Sequence, residues 1–242
     1  MTKVGIYGFG GRMGQRIAAL LQNNNTPGEL AAAVDTNPKF VGKDMGIKVR
    51  SNPEEIFNDV DVIIDFSSPQ ATLELVQKNR EIKKPLVIGT TGFSESQKKE
   101  LLQIVEGTPV VIAPNMSLGV NLLAGLVKKT AETLTDGFSV NIIEAHHIHK
   151  KDSPSGTALF LEKAVGEGNE IHKGKIEIEA IREGEIVGEH SVFFDGPGEQ
   201  IELTHTAKSR DTFALGSIKA ATWLVNQPPG LYDMFDVLGL KE

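Results

Sequence analysis

The sequence predicts an α/β fold, with a doubly wound parallel sheet in the N-terminal part followed by an α+β unit built on a mainly antiparallel sheet. Three observations carry this. Apolar runs alternate with helical patterns through the first 115 residues, and a glycine-rich turn joins the first run to the first helix. From about residue 175 the pattern changes to segments in which apolar and polar residues alternate, with glycine-containing turns between them.

The runs VGIY (4–7), LAAAV (30–34), DVIIDF (61–66), PLVIG (85–89) and PVVIA (109–113) are short and continuously apolar, as parallel strands buried on both faces are. Helical patterns lie between them at about 12–23, 69–81 and 94–105. Ser67 or Ser68 can cap the second of these, with Pro69 at its first position. Repeated strand–helix order implies right-handed crossovers and a doubly wound sheet. Beyond Asn115 come a long apolar helix (Leu118 to Leu134), the strand FSVNIIEAHH and a helix over 155–166. Alternating segments at 175–182, 185–194 and 199–207 read as an antiparallel sheet. A last helix at about 211–225 precedes the turn NQPPG and a short tail. The expected division is a first domain over 1–115, to which 210–242 returns, and a second domain over 116–209.

Composition narrows the function. A chain of 242 residues with 40% apolar and 24% charged residues can bury a substantial core. No apolar run approaches the ~18 residues of a membrane span, and MTKVGIYGFG enters a strand too early for a signal peptide. With no cysteine there is no disulfide, thiolate metal site or cysteine nucleophile. A net charge of −7 argues against nucleic acid as the main partner. The expectation is a cytoplasmic enzyme with neither a membrane nor a nucleic-acid partner.

VGIYGFGGRMGQRIAALL sets Gly8, Gly11 and Gly14 at three-residue spacing between a strand and an amphipathic helix. Dinucleotide binding needs glycines for a tight turn, for close approach to the pyrophosphate, and for helix–strand packing. The spacing is G-x-x-G-x-x-G, although Gly10 is also present. Alone, such a triplet is equally a turn that binds nothing. Here Asp35 ends the second strand about 20 residues beyond Gly14, where an acid accepts from ribose hydroxyls. Asp35 would repel a 2′-phosphate, and Thr36 follows it where an arginine would favour NADPH. The cofactor is therefore expected to be NADH or NADPH, with NADH used at least as well, softened by nearby Arg12 and Lys39. Three more loops leave strand ends: DFSSP (65–69), GTTGF (89–93) and APNMSLGVN (113–121). Each of Ser67, Thr90 and Thr91 alone is explained by capping or turn chemistry. Together the loops make a cofactor rim.

EAHHIHKKDSPSGTAL gathers three of the six histidines and two lysines within His146–Lys151, directly before a helix start. A zincin pattern is missing, and six residues are too few for a nucleic-acid patch. A solvated charged face and a structural histidine pair remain open readings. An anionic-substrate site explains more, because Ser155-Gly156-Thr157 begins a helix whose N–H groups can cradle an anion. Lys150 can approach that anion, and a protonatable His146 can deliver a proton beside it.

This block resembles the signature of the 4-hydroxy-tetrahydrodipicolinate (dihydrodipicolinate) reductase family of lysine and diaminopimelate biosynthesis. So do GFGGRMG, DFSSP, GTTGF, APNMSLGVN, IVGEHSVFF and ELTHTAKSRDTFALG, which together span the chain. The resemblance implies an N-terminal Rossmann domain, a C-terminal α+β substrate domain and a homotetramer. It implies NAD(P)H-dependent reduction of a cyclic dicarboxylate with loss of water and no metal. By motif, His146 corresponds to the general acid and Lys150 to the second catalytic residue. His147 corresponds to a substrate contact, and Gly156 and Thr157, with Ser155 beside them, to the carboxylate cradle. Gly8, Gly10, Gly11, Arg12 and Met13 correspond to the pyrophosphate loop and Asp35 to the ribose ligand. Gly89, Thr90, Thr91, Ala113, Asn115 and Met116 correspond to the nicotinamide side, and Ser67 stands with them as a cofactor-binding residue of the rim. The chain departs from the family pattern at Ile148, Glu183 and Leu215, and it is short between the helix near 160 and the sheet near 175. Rival readings are another dehydrogenase with an appended sheet domain, such as an amino-acid or aldehyde dehydrogenase, and an NAD(H)-binding redox sensor without turnover.

Overall fold

A computed structural model describes residues 1–23, 26–172 and 174–241. The chain divides into two compact units, one formed by Met1–Ser117 with Phe213–Glu242 and the other by Leu118–Thr212.

The first unit runs β1 (Thr2–Tyr7), α1 (Arg12–Gln22), β2 (Gly28–Val34), β3 (Val49–Arg50), β4 (Val62–Asp65), α2 (Pro69–Asn79), β5 (Leu86–Ile88), α3 (Glu95–Ile104) and β6 (Pro109–Ile112). After the second unit has intervened, most of α6 (Asp211–Leu224) follows, then β11 (Gly230–Tyr232) and α7 (Met234–Leu238). The sheet order is β11-β6-β5-β4-β1-β2-β3, and every pairing is parallel. Strand order reverses between β1 and β4, and at such a switch point the loops on either side diverge to leave a crevice. Helices on both faces explain the uninterrupted apolar runs: Val4, Ile6, Ile63, Ile64, Val87 and Val110 are all at 0% exposure. Ser68 is the residue that caps α2, accepting from Ala71 N–H with Pro69 in the first turn. Ser94 and Gln97 close a capping box on α3.

Two strands go beyond the sequence expectation. β3 is two residues long, and β11 forms where the sequence suggested only a turn and tail, pairing with β6 as the outer strand. Neither is long enough to show a period-two pattern. α7 has its own punctuation, an Asp233–Asp236 capping box and Gly239 in the left-handed region as C-cap.

The second unit contains α4 (Leu118–Thr133), β7 (Ser139–His146), α5 (Gly156–Gly168), β8 (Glu177–Arg182), β9 (Glu189–Gly196) and β10 (Glu199–Thr206). Its sheet order is β10-β9-β7-β8. β9 runs antiparallel to both β10 and β7, whereas β8 lies parallel to β7. The expected direct succession of three alternating segments therefore gives way to an order in which β7 separates β8 from β9. The chain over 183–188, expected in part as strand, forms the connecting loop. Its backbone groups are used elsewhere: Glu183 N–H donates to His146 O at 2.8 Å, and Ile186 O accepts from His147 N–H at 2.8 Å. Gly184 supplies the left-handed conformation of this loop at φ +49°, so Glu183 can stand where the family pattern has a glycine. No helix among the described residues is long and apolar enough to cross a membrane.

Candidate active site

In the first unit all the parallel strands end on the same edge, and the sequence-selected residues stand in the loops after β1, β2, β4, β5 and β6. The glycines there are required by space. Gly8 has φ +83°, and a Cβ on it would stand 2.7 Å from Phe66 O. A Cβ on Gly14 would meet Gly8 O at 2.4 Å and Phe9 O at 2.7 Å, so α1 sits directly on the loop. A Cβ on Gly10 would run into the Phe40 ring at 2.5 Å. Gly11 is the N-cap of α1 and brings no side chain to its N–H groups. A helix end left this way suits an anion. Asp35 Oδ2 accepts from Gly10 N–H at 2.6 Å and Oδ1 from Asn37 N–H at 2.7 Å, so the carboxylate is fixed beside the glycine loop. Gly8, Gly11, Asp35, Thr36 and Ser67 line a common cleft of about 250 Å³. Arg12 and Met13 open α1.

The other rim loops are stitched together. Ser67 N–H donates to Asp65 Oδ1 at 2.9 Å and lies 3.0 Å from Thr90 Oγ1. Gly89 N–H donates to Asp65 O and Ala113 N–H to Ile88 O. Asp65 is fully buried and accepts from the Thr72 hydroxyl. Burial pushes its carboxyl up to about 6 against these hydrogen bonds. Thr91 is exposed, whereas Ala113 and Met116 are buried, which leaves mainly backbone for a ligand to reach at the latter two. Asn115 Oδ1 accepts from Ser117 N–H at the start of the next segment. The loop offers space, a bare helix end and a fixed acidic side chain, the features that a dinucleotide-binding turn uses.

In the second unit, strand alternation gathers the chemistry on one face. Glu144 and His146 are two apart on β7 and so share a face. His190 of β9 lies opposite Glu144, His205 of β10 opposite His190, and Arg182 of β8 beside His146. His146 Nδ1 is hydrogen-bonded to Glu144 Oε2. Glu144 Oε1 accepts from Arg182 Nη2 at 2.8 Å and from Ser155 N–H at 3.1 Å. The N-cap of α5 is thereby tied to the carboxylate that holds His146. Ser155 Oγ accepts from Ala158 N–H and lies 3.1 Å from His190 Nε2, and the residue is only 1% exposed. Both its polar groups are engaged inside the protein. Gly156 and Thr157 are the first two residues of α5, and a Cβ on Gly156 would meet nothing within 4 Å. Lys150 Nζ pairs with Asp152 Oδ2 at 2.8 Å. His147 is half-buried and its Nδ1 has no hydrogen-bond partner.

The electrostatics follow. Burial pushes the Glu144 carboxyl up, but Arg182, His146 and Ser155 N–H together hold it below the usual range. Burial lowers the His146 imidazole, Glu144 opposes this, and Lys150 and Arg182 lower it further. His190 is pushed down to about 3, mainly by burial, and is neutral. Glu144, His146 and His190 each offer a ligand atom within 4.8 Å of the others, a set that zinc uses. The Arg182 guanidinium on the same carboxylate sets a fixed positive charge against a cation there. The cluster is better built to move a proton. Sequence reasoning selected His146, Lys150 and the cradle but missed Glu144, Arg182 and His190. Glu144 was detectable, since Glu-x-His in an alternating strand shares a face. Arg182 and His190 arrive through strand pairing, which no local pattern states.

The chain resembles known proteins along its full length. Residues 2–116 match the family model described as "Dihydrodipicolinate reductase, N-terminus" and residues 119–238 the one described as "Dihydrodipicolinate reductase, C-terminus". The 4-hydroxy-tetrahydrodipicolinate reductase of Hahella chejuensis is 46% identical, with 100% of both chains covered. That of Syntrophus aciditrophicus is 42% identical, again over 100% of each. Among solved structures, a dihydrodipicolinate reductase from Paenisporosarcina sp. TG-14 with dipicolinate bound superposes with a TM-score of 0.82 at 26% identity, covering 98% of each chain. In both halves, and along its full length, the chain belongs to the dihydrodipicolinate reductase family.

Proposed function

We propose that the chain catalyses the NAD(P)H-dependent reduction of 4-hydroxy-tetrahydrodipicolinate to tetrahydrodipicolinate, with loss of water, in lysine and diaminopimelate biosynthesis. The observation that carries this is a buried His146 held by Glu144, with Lys150 nearby in the chain and the α5 N-terminus tied to the same carboxylate, in a member of this family. When bound, NAD(P)H supplies the hydride. The residues of the chain bind, orient and protonate. Gly8, Gly10, Gly11, Arg12 and Met13 hold the pyrophosphate, and Asp35 the ribose. Ser67, Gly89, Thr90, Thr91, Ala113, Asn115 and Met116 form the nicotinamide side of the rim. Gly156 and Thr157 take one substrate carboxylate at the helix end, Lys150 supplies positive charge beside it, and His147 adds a contact. His146 gives its proton to the carbon that becomes carbanion-like as hydride arrives, a contribution of ~10²–10⁴-fold in rate.

NADH serves at least as well as NADPH in this reading, because the fixed Asp35 carboxylate opposes a 2′-phosphate. A cytoplasmic homotetramer is part of the same proposal. Association of chains is supported by the second face of the four-stranded sheet, where half-buried Ile143 and Phe193 lie opposite the histidine cluster.

The test mixes pyruvate, aspartate semialdehyde, the synthase that condenses them and this protein, and follows NADH and NADPH absorbance, with the mass in solution measured on the same sample. Oxidation dependent on the synthase, with kcat/KM for NADH no lower than for NADPH, is expected from a particle of four chains. Tight NADH binding without oxidation would favour the redox-sensor reading. A hundredfold preference for NADPH would refute the Asp35 argument alone.

A further inference from the structure

Delivery of a proton to one carbon requires that one defined ring nitrogen carries it, and an imidazole has two. Glu144 decides between them. One of its oxygens meets His146 Nδ1, and the other is taken by Arg182 and by Ser155 N–H. Glu144 is wholly buried, and Arg182 is the strongest of the partners that keep its carboxyl ionised against burial. An ionised carboxylate only accepts, so the proton in that hydrogen bond belongs to His146 Nδ1. Nε2 is then the nitrogen whose protonation can change. Space is kept at that atom: a Cβ on Gly188 would stand 3.1 Å from Nε2, although Gly188 has no left-handed backbone that would call for glycine.

We infer that Glu144, clamped by Arg182, is a positioning residue that fixes the tautomer and orientation of His146 so that Nε2 delivers the proton. The inference rests on the reading of His146 as general acid. The competing reading is a buried ion pair that only ties β8 and the α5 N-cap to β7. The groups facing His146 are Glu144 on its own strand, Arg182 on β8, His190 on β9, and Lys150 and Asp152 on the following loop, with His205 of β10 beyond His190. A general acid works protonated, so activity is lost as pH rises through its pKa. Glu144 opposes the lowering of that pKa by burial, Lys150 and Arg182. Removing its charge therefore moves the alkaline limb of kcat to lower pH.

Two measurements test this. Long-range ¹H–¹⁵N spectra of the wild-type protein, with His146 assigned by its disappearance in His146→Gln, should show the Nδ1–H tautomer. An Nε2–H tautomer would overturn the inference whether or not any Glu144 variant folds. In Glu144→Gln, whose amide can donate as well as accept, kcat should fall at least ~10-fold with KM within about threefold, because protonation and not binding is impaired. Its alkaline limb should move to lower pH, and Glu144→Asp should restore part of that shift. Unaltered kcat and limb in Glu144→Gln, beside an inactive His146→Gln, would overturn the inference and leave the general-acid reading standing. A fully active His146→Gln would overturn that reading itself, and the inference with it.

Discussion

Asp65 and Glu144 are both carboxylates wholly removed from water, and burial raises both, but their partners carry them to opposite ends. Glu144 has a guanidinium on one oxygen and stays ionised; Asp65 has only neutral donors and is pushed up to about 6. Below its unfolded value of 3.8 the protonated Asp65 is accommodated, and that contribution is lost as pH rises through about 6. The cost of carrying its charge above that range is on the order of 3 kcal/mol. Asn in its place would keep an acceptor for Ser67 N–H without the charge. Asp65→Asn should therefore raise the urea midpoint relative to wild type at pH 8, with the advantage shrinking at pH 5. A difference independent of pH would contradict this account of Asp65. At this scale the sequence marks the groups proposed to carry the chemistry, such as His146 and Asp35, because their neighbours in the chain form recognisable loops. It does not mark their partners in space. Arg182 reads as one more residue of an alternating strand, and only the parallel placement of β8 brings it beside His146.

The two helix starts that the account assigns to anions are built differently. α1 is seated on backbone, with Gly14 against Gly8 O and Phe9 O, whereas Gly156 at the start of α5 faces open space. Alanine at position 14 must push the loop away, an overpacking cost of ~1–3 kcal/mol. Gly14→Ala is expected to lower both melting temperature and NADH affinity. Gly156→Val should leave the melting temperature within about 2 °C of wild type, an effect of no more than about 1 kcal/mol, and raise the substrate KM or abolish turnover. Equal melting losses in the two variants would show that Gly156 serves packing. Most elements were legible because each carries its own signal: apolar runs for the buried parallel strands, Ser-Pro at a helix start, alternation in β9 and β10. β3 and β11 are too short to signal anything, and their existence depends on neighbours already in place. The insertion of β7 between β8 and β9 was hidden for a related reason, since alternation reports which residues share a face and says nothing of which strand lies alongside.

Over the whole molecule, a chain of net charge −7 concentrates His146, His147, His149, Lys150 and Lys151 before one helix end, and the account holds that a dianion binds there. In the proposed function the first unit holds the hydride donor and the second supplies the dianion site and the proton. The most direct test of the central claim is the melting temperature of the NADH-bound protein with and without pyridine-2,6-dicarboxylate, in wild type and Lys150→Ala. A ligand that binds only the folded state stabilises it by mass action, about 2.7 kcal/mol at a hundredfold excess over Kd. Wild type should melt higher with the dicarboxylate, and Lys150→Ala should show a smaller shift at the same concentration. No shift in the wild type, or equal shifts in both proteins, would contradict the assignment of the histidine–lysine cluster as the dicarboxylate site.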